Sequence, residues 1–190
     1  MSDKLKDKQV AILVTDGFEQ SEFTEPRKAL EEAGAAVHVI APHGGKVKAW
    51  DETDWGNEYE VDVTLDTANA EDYNALLLPG GVLNPDQLRT NEKAVDFVSQ
   101  FLDEGKPIAA ICHGPWTLIE TGSLEGRKMT SYKSIKTDLV NAGVNWVDQE
   151  VVVDQGLVTS RNPDDIPAFN RKMIEEFAEG RHVRESSPIR

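Results

Sequence analysis

Residues 107–115 read Pro107-Ile108-Ala109-Ala110-Ile111-Cys112-His113-Gly114-Pro115, and this stretch decides the fold. Its first five residues form an apolar run without polar alternation, the pattern of a strand covered by helices on both faces. Pro115 suits the first turn of a helix, and the apolar stretch from Trp116 to Ile119 continues it. A strand, a sharp turn and a helix therefore meet at Cys112. Small residues, Ala110 and Gly114, stand two positions to either side, as in a small-x-nucleophile-x-small elbow whose tight turn leaves no room for larger side chains. A lone cysteine can also be a small buried hydrophobe, and the elbow context favours a functional thiol. At a helix N-terminus, unpaired N–H groups and the dipole stabilise thiolate, so an acidic thiol is expected.

Outward from this junction, strand-like runs recur at Val10 to Thr15, Ala36 to Ile40, Ala75 to Leu78, and Val151 to Val153 with Leu157 to Ser160. Helical stretches lie between them. Phe23 to Ala33 ends at Gly34, and Ala94, Val98, Phe101 and Leu102 repeat at helical spacing before Gly105. Ile166, Phe169, Met173, Ile174 and Phe177 form the stripe of a last helix, announced by Asn162 and Pro163. Strand and helix alternate, which predicts an α/β fold with a mainly parallel buried sheet. Between His43 and Asp66, apolar residues alternate at Tyr59, Val61, Val63 and Leu65, predicting a small antiparallel excursion. Gly180 to Arg190 closes the chain as a polar tail. The length of 190 residues predicts one domain, 1–190.

Hydrophobic residues make up 39% of the chain and charged ones 28%, enough apolar side chain for a core and too much for a disordered chain. The 34 acidic and 20 basic residues give a net charge of −14, which repels phosphate backbones and anionic membranes, so neither nucleic acid nor membrane is an expected partner. No apolar run approaches the ~18 residues of a membrane helix, and Asp16 interrupts any signal-peptide core. With a single cysteine, no intrachain disulfide can form; a reducing compartment, the cytoplasm, is expected.

Three loops carry candidate chemistry. His113, next to the thiol, is either its general base or a side chain pointing away. Gly80 and Gly81 end a buried strand, where they form an ordinary turn or a nest of N–H donors for an oxyanion, with the His113 N–H as a second donor. The acidic loop Asp16 to Glu22 either caps the next helix or places a carboxyl beside the thiol, where burial raises its pKa and its proton hydrogen-bonds the sulfur. His38, His43 and His182 show no metal-ligand spacing and read as structural or solvated, so neither a metal nor a cofactor is expected.

The segments TDGFEQSEF, ALLLPGG, PIAAICHGP, DQEVVVD and LVTSRNPDDIPAFN, in this order, resemble the PfpI intracellular-peptidase family. That family shares a superfamily with the Parkinson-disease redox protein and class I glutamine amidotransferase domains. The resemblance implies a flavodoxin-like three-layer sandwich and a homo-oligomer, at least a dimer. It places the nucleophile at Cys112, its histidine at His113, the buried acidic partner at Glu22 and the glycine donor at Gly81. The glutamate that orients the histidine from a neighbouring subunit falls on Asp86, a departure, in a loop one residue longer than in the archaeal peptidases. Asp86 can instead cap the short helix from Pro85 to Leu88. Tyr132, in TSYKS, matches a tyrosine near the site and equally fits a core position.

Two functions follow. One is a stress-response cysteine hydrolase acting on a protein or small-molecule carbonyl substrate, cleaving peptide, amide or dicarbonyl-adduct bonds; glyoxalase chemistry uses the same thiol. The other is a non-enzymatic redox sensor or chaperone whose cysteine is oxidised to sulfinate. Catalysis requires His113 and oxidation does not.

Overall fold

The computed structural model describes residues 3–182. In chain order the elements are β1 (Gln9–Leu13), α1 (Gln20–Glu32), β2 (Ala36–Ala41), β3 (Lys46–Asp51), β4 (Asp54–Glu60), β5 (Val63–Thr64) and β6 (Ala75–Leu78). Next come α2 (Leu83–Leu88), α3 (Glu92–Asp103), β7 (Ile108–Ile111), α4 (Pro115–Ile119), β8 (Lys128–Met129) and α5 (Lys136–Asn141). The series closes with β9 (Asn145–Trp146), β10 (Val152–Asp154), β11 (Leu157–Ser160) and α6 (Ile166–Glu179).

A seven-stranded sheet runs in the order β10-β11-β7-β6-β1-β2-β5, with β10 its antiparallel member. Alternate residues of each strand feed two cores, as a sheet with two covered faces requires. Ala11 and Leu13 join Phe97, Phe101, Leu118 and Leu139 on one side. Val10 and Ile12 join Phe23, Leu30, Phe169 and Phe177 on the other. The result is the three-layer flavodoxin-like α/β arrangement. α1 stops because Gly34 adopts φ +97°, letting its N–H return to the Glu31 carbonyl. Among the described residues, no helix is long and apolar enough to cross a membrane.

The excursion is antiparallel, as expected, and lies outside the main sheet: β3 and β4 pair with each other as a separate hairpin. The alternation from Tyr59 to Leu65 spans two elements, since β5 leaves the hairpin and joins β2 in parallel. The break falls at Asp62, whose carboxylate accepts the Val39 N–H at 2.7 Å. At His182 the closing tail is docked, the structural one of its two readings: the backbone N–H donates to the Gly105 carbonyl at 2.8 Å. The rest of that tail, 183–190, lies outside the described residues.

The order β7-β6-β1 sets the loops after these three parallel strands side by side at their C-terminal ends, where open α/β sheets place their sites.

Candidate active site

The elbow forms as its residue types dictate. Cys112 has φ +62°, a left-handed conformation that costs a non-glycine residue energy and is found where a side chain must be presented. A Cβ at Gly114 would come within 2.5 Å of the Leu78 carbonyl oxygen, so only glycine fits there. The bend is pinned by the Cys112 N–H on the Ser160 carbonyl (3.0 Å) and the Tyr132 N–H on the Cys112 carbonyl (2.9 Å).

Cys112 Sγ lies 3.2 Å from His113 Nδ1, so the adjacent histidine turns toward the thiol. On its far side, His113 Nε2 lies 3.0 Å from Ser134 Oγ. Tyr132 stacks on the imidazole at 4.9 Å between centroids, and Trp116 meets it edge-on at 5.1 Å. Burial lowers the His113 pKa, favouring a neutral ring able to accept a proton.

Glu22 is fully buried on the first turn of α1, behind the sulfur, and does not cap that helix. Its Oε2 accepts the Gly80 N–H at 2.8 Å, whereas Oε1 is buried without a conventional hydrogen-bond partner among the described residues. Burial pushes its pKa up to about 8, against the hydrogen bonds that favour the anion. The carboxyl is therefore protonated at neutral pH and can donate to sulfur.

The acidic thiol expected from the elbow is corrected here. Burial raises the Cys112 pKa, an ionised Glu22 raises it further, and the N–H groups of His113 and Gly81 pull it down. The side chain is only 7% exposed, and α4, at five residues, is too short to supply a full helix dipole. Two adjacent buried anions repel, so the thiolate forms with the proton held on Glu22.

The glycine pair divides its roles. The Gly80 N–H is engaged by Glu22 and is not free for an oxyanion, contrary to expectation. A Cβ at Gly80 would lie 2.5 Å from Glu22 Oε2 and 2.7 Å from Cys112 Cβ, so glycine is what lets carboxyl and thiol meet. Gly81, at φ +74°, turns its N–H toward the sulfur.

Asp86 is exposed within α2 and does not line the cleft. Nor does it cap α2, which starts at Leu83 with no side-chain cap.

Residues beyond the sequence-based set complete the site. Buried Asn84 accepts the Thr15 N–H at 2.8 Å and donates to the Pro79 and Gly80 carbonyls at 3.0 and 3.1 Å, tying two site loops together. The β3–β4 hairpin docks through the Trp50 N–H on the Phe18 carbonyl at 2.7 Å and brings Trp50 and Glu52 to the rim. The cavity, about 610 Å³, is further bounded by Glu19, Leu83, Tyr132 and Ser134, with Cys112 and His113 in its wall. Burial raises the Glu19 carboxyl pKa, with Asp51 and Glu52 adding to the rise. Nothing in the spacing of Asn84, Ser134 or Trp50 marks them; only the folded chain brings them to Cys112.

The arrangement can attack an electrophilic carbon with sulfur, move protons through His113 and bind a developing oxyanion with N–H groups. The DJ-1/PfpI family model matches residues 8–176. General stress protein 18 of Bacillus subtilis is 50% identical over 169 residues, covering 88% of this chain and 96% of that protein. Protein/nucleic acid deglycase 2 of Escherichia coli is 46% identical over 172 residues, covering 88% and 96%. The crystal structure of Drosophila melanogaster DJ-1beta superposes with a TM-score of 0.81 at 32% identity, covering 94% of this chain and 91% of that one. Through these matches and the shared architecture, the chain belongs to the DJ-1/PfpI family.

Proposed function

We propose that the protein is a stress-related, cytoplasmic cysteine hydrolase of the deglycase type, releasing amines from their dicarbonyl adducts. The observation that carries this reading is the 3.2 Å approach of Cys112 Sγ to His113 Nδ1 inside a cavity. The names of the Bacillus and Escherichia relatives support the stress setting and the substrate class. In the reaction, sulfur attacks the carbon bearing the amine while His113 takes the thiol proton and passes it to the departing nitrogen. A proton shift between the two former carbonyl carbons converts the resulting hemithioacetal into a 2-hydroxy thioester. Water then releases a 2-hydroxy acid and restores the thiol, so adduct and water become amine and acid. The hydroxyl of Ser134 places no charge beside the imidazole, which suits an activated adduct better than an unactivated peptide bond. Peptide cleavage would draw on Asp86 from a second copy in a homodimer. Val82 and Leu83, 54% and 44% exposed beside Asp86, offer an apolar face for that assembly.

One observation favours a redox reading: the Glu22 carboxyl beside the sulfur is also placed to hydrogen-bond a sulfinate. A methylglyoxal-modified peptide incubated with wild-type, Cys112→Ser and His113→Ala proteins separates the two. Mass spectrometry is expected to show free peptide and 2-hydroxy acid with wild type alone. Removal by Cys112→Ser at the wild-type rate rules out the hydrolase. An untouched adduct, with Cys112 gaining two oxygens after peroxide in wild type and His113→Ala alike, establishes the sensor.

A further inference from the structure

At the opposite end of the strands from Cys112, the last turn of α6 carries Glu176 and Glu179, and the chain folds back to set His182 against them. Their ligand atoms all lie within 4.8 Å of one another. His182 Nε2 is 3.1 Å from Glu176 Oε2 and 3.9 Å from Glu179 Oε2. Oxygen and nitrogen ligands on one zinc ion at ~2.0–2.2 Å stand about 3.3 Å apart, so the Glu176–His182 pair already has the spacing of co-ligands, with the exposed Glu179 carboxylate beside it.

Glu176 is 9% exposed, and its Oε2 and His182 Nε2 are both buried without a hydrogen-bond partner among the described residues. At 3.1 Å, an ordinary His–Glu pair would aim the ring N–H at the oxygen. This one does not. The lone pair of a metal-bound nitrogen points at the ion, and a second ligand oxygen lies close by but off that axis, as Oε2 does here. The ring is held in place from behind: a Cβ at Gly156, whose φ is +80°, would come within 2.7 Å of His182 Cδ2, and a Cβ at Gly105 within 2.2 Å of the His182 carbonyl oxygen.

We propose that Glu176, Glu179 and His182 bind one divalent transition-metal ion of the zinc class, a structural staple fixing residue 182 against the end of α6. One imidazole and two carboxylates are a borderline donor set suited to zinc or cobalt(II), with water completing the shell. The position lets the ion offset the charge of a buried carboxylate that Glu179 and Glu175 otherwise crowd.

Zinc uptake is measured by equilibrium dialysis on full-length Cys112→Ser protein, which removes the thiol that would compete for metal. We expect one zinc per chain and a thermal midpoint that rises with added zinc. Glu179→Gln, at an exposed side chain whose loss leaves folding intact, should weaken binding about tenfold or more. His182→Ala should abolish both uptake and the thermal shift. Cobalt(II) in the Cys112→Ser protein should give visible d–d bands that Glu179→Gln alters. No zinc uptake by Cys112→Ser protein, or undiminished uptake in either ligand variant, overturns the proposal and leaves an ion pair.

Discussion

At the scale of single residues, the chemistry turns on where two protons sit. With Glu22 raised to about 8 and His113 lowered by burial, the reactive form has a neutral imidazole and a protonated carboxyl. The pH profile of kcat/KM should therefore rise as His113 loses its proton and fall as Glu22 ionises near 8. Glu22→Gln keeps a donor and cannot ionise, so its alkaline limb should be flat; an unchanged limb would assign it to another group. Ser134 positions His113 through its hydrogen bond to Nε2. Losing one such hydrogen bond costs ~1 kcal/mol, so Ser134→Ala should lower kcat about fivefold with KM unchanged. Ser134→Thr, which keeps the hydroxyl, should recover the rate. Full activity in Ser134→Ala would show that the imidazole is held from elsewhere. Cys112, His113 and the glycines were legible in sequence because an elbow leaves local signs. The thiol's proton affinity was not, because it depends on burial and on a carboxyl supplied from α1.

At the scale of elements, one side chain ties the loops after β1 and β6 to each other alongside the Glu19 N–H on the Gly80 carbonyl. Asn84 makes three buried hydrogen bonds to those loops. Asn84→Ala strands the Thr15 N–H and two carbonyls, which should cost roughly 2–4 kcal/mol in urea unfolding and loosen the Gly81 donor. Activity should fall more than stability alone accounts for; a variant as stable and as active as wild type would remove Asn84 from the site. The strands of the main sheet other than β5, and the long helices, were readable to within a residue or three, since each repeats its apolar pattern over a full turn or run. The hairpin's docking was not, because backbone bonds such as that from Trp50 to Phe18 carry no side-chain code. α2 and α5, at six residues each, are too short to show a period.

At the scale of the whole molecule, the buried carboxyl links function to stability. Below 4.5, Glu22 is protonated folded and unfolded; between 4.5 and about 8, only the folded chain keeps the proton; above that, both are ionised. Stability due to this group is thus full at low pH and is lost as pH rises through that window, at up to about 1.4 kcal/mol per unit. Denaturant unfolding across the window should show a shallower loss in Glu22→Gln than in wild type, and parallel curves would mean the carboxyl is not buried protonated. The proposed assembly is tested by mixing. Cys112→Ala and Asp86→Ala chains, each inactive toward a peptide substrate, should regain activity once subunit exchange is confirmed, since one mixed interface then holds an intact site. Exchange without recovered activity, or a fully active Asp86→Ala chain, would leave Asp86 outside the reaction.

The sequence by itself determined the α/β layering, the parallel strands and the strand-turn-helix elbow that carries Cys112. Each of these is written in near neighbours: apolar runs, a glycine stop, small residues around a turn. Only the tertiary structure decided which groups surround the sulfur. Glu22, Gly80 with Asn84, Ser134 and Trp50 come from four separate segments, and their meeting depends on strand order and loop closure. The same holds for His182, which reads as a structural or solvated tail residue until the turn before β7 and the end of α6 fix it in place. Burial and proton affinity are properties of that enclosure, so no local pattern could carry them.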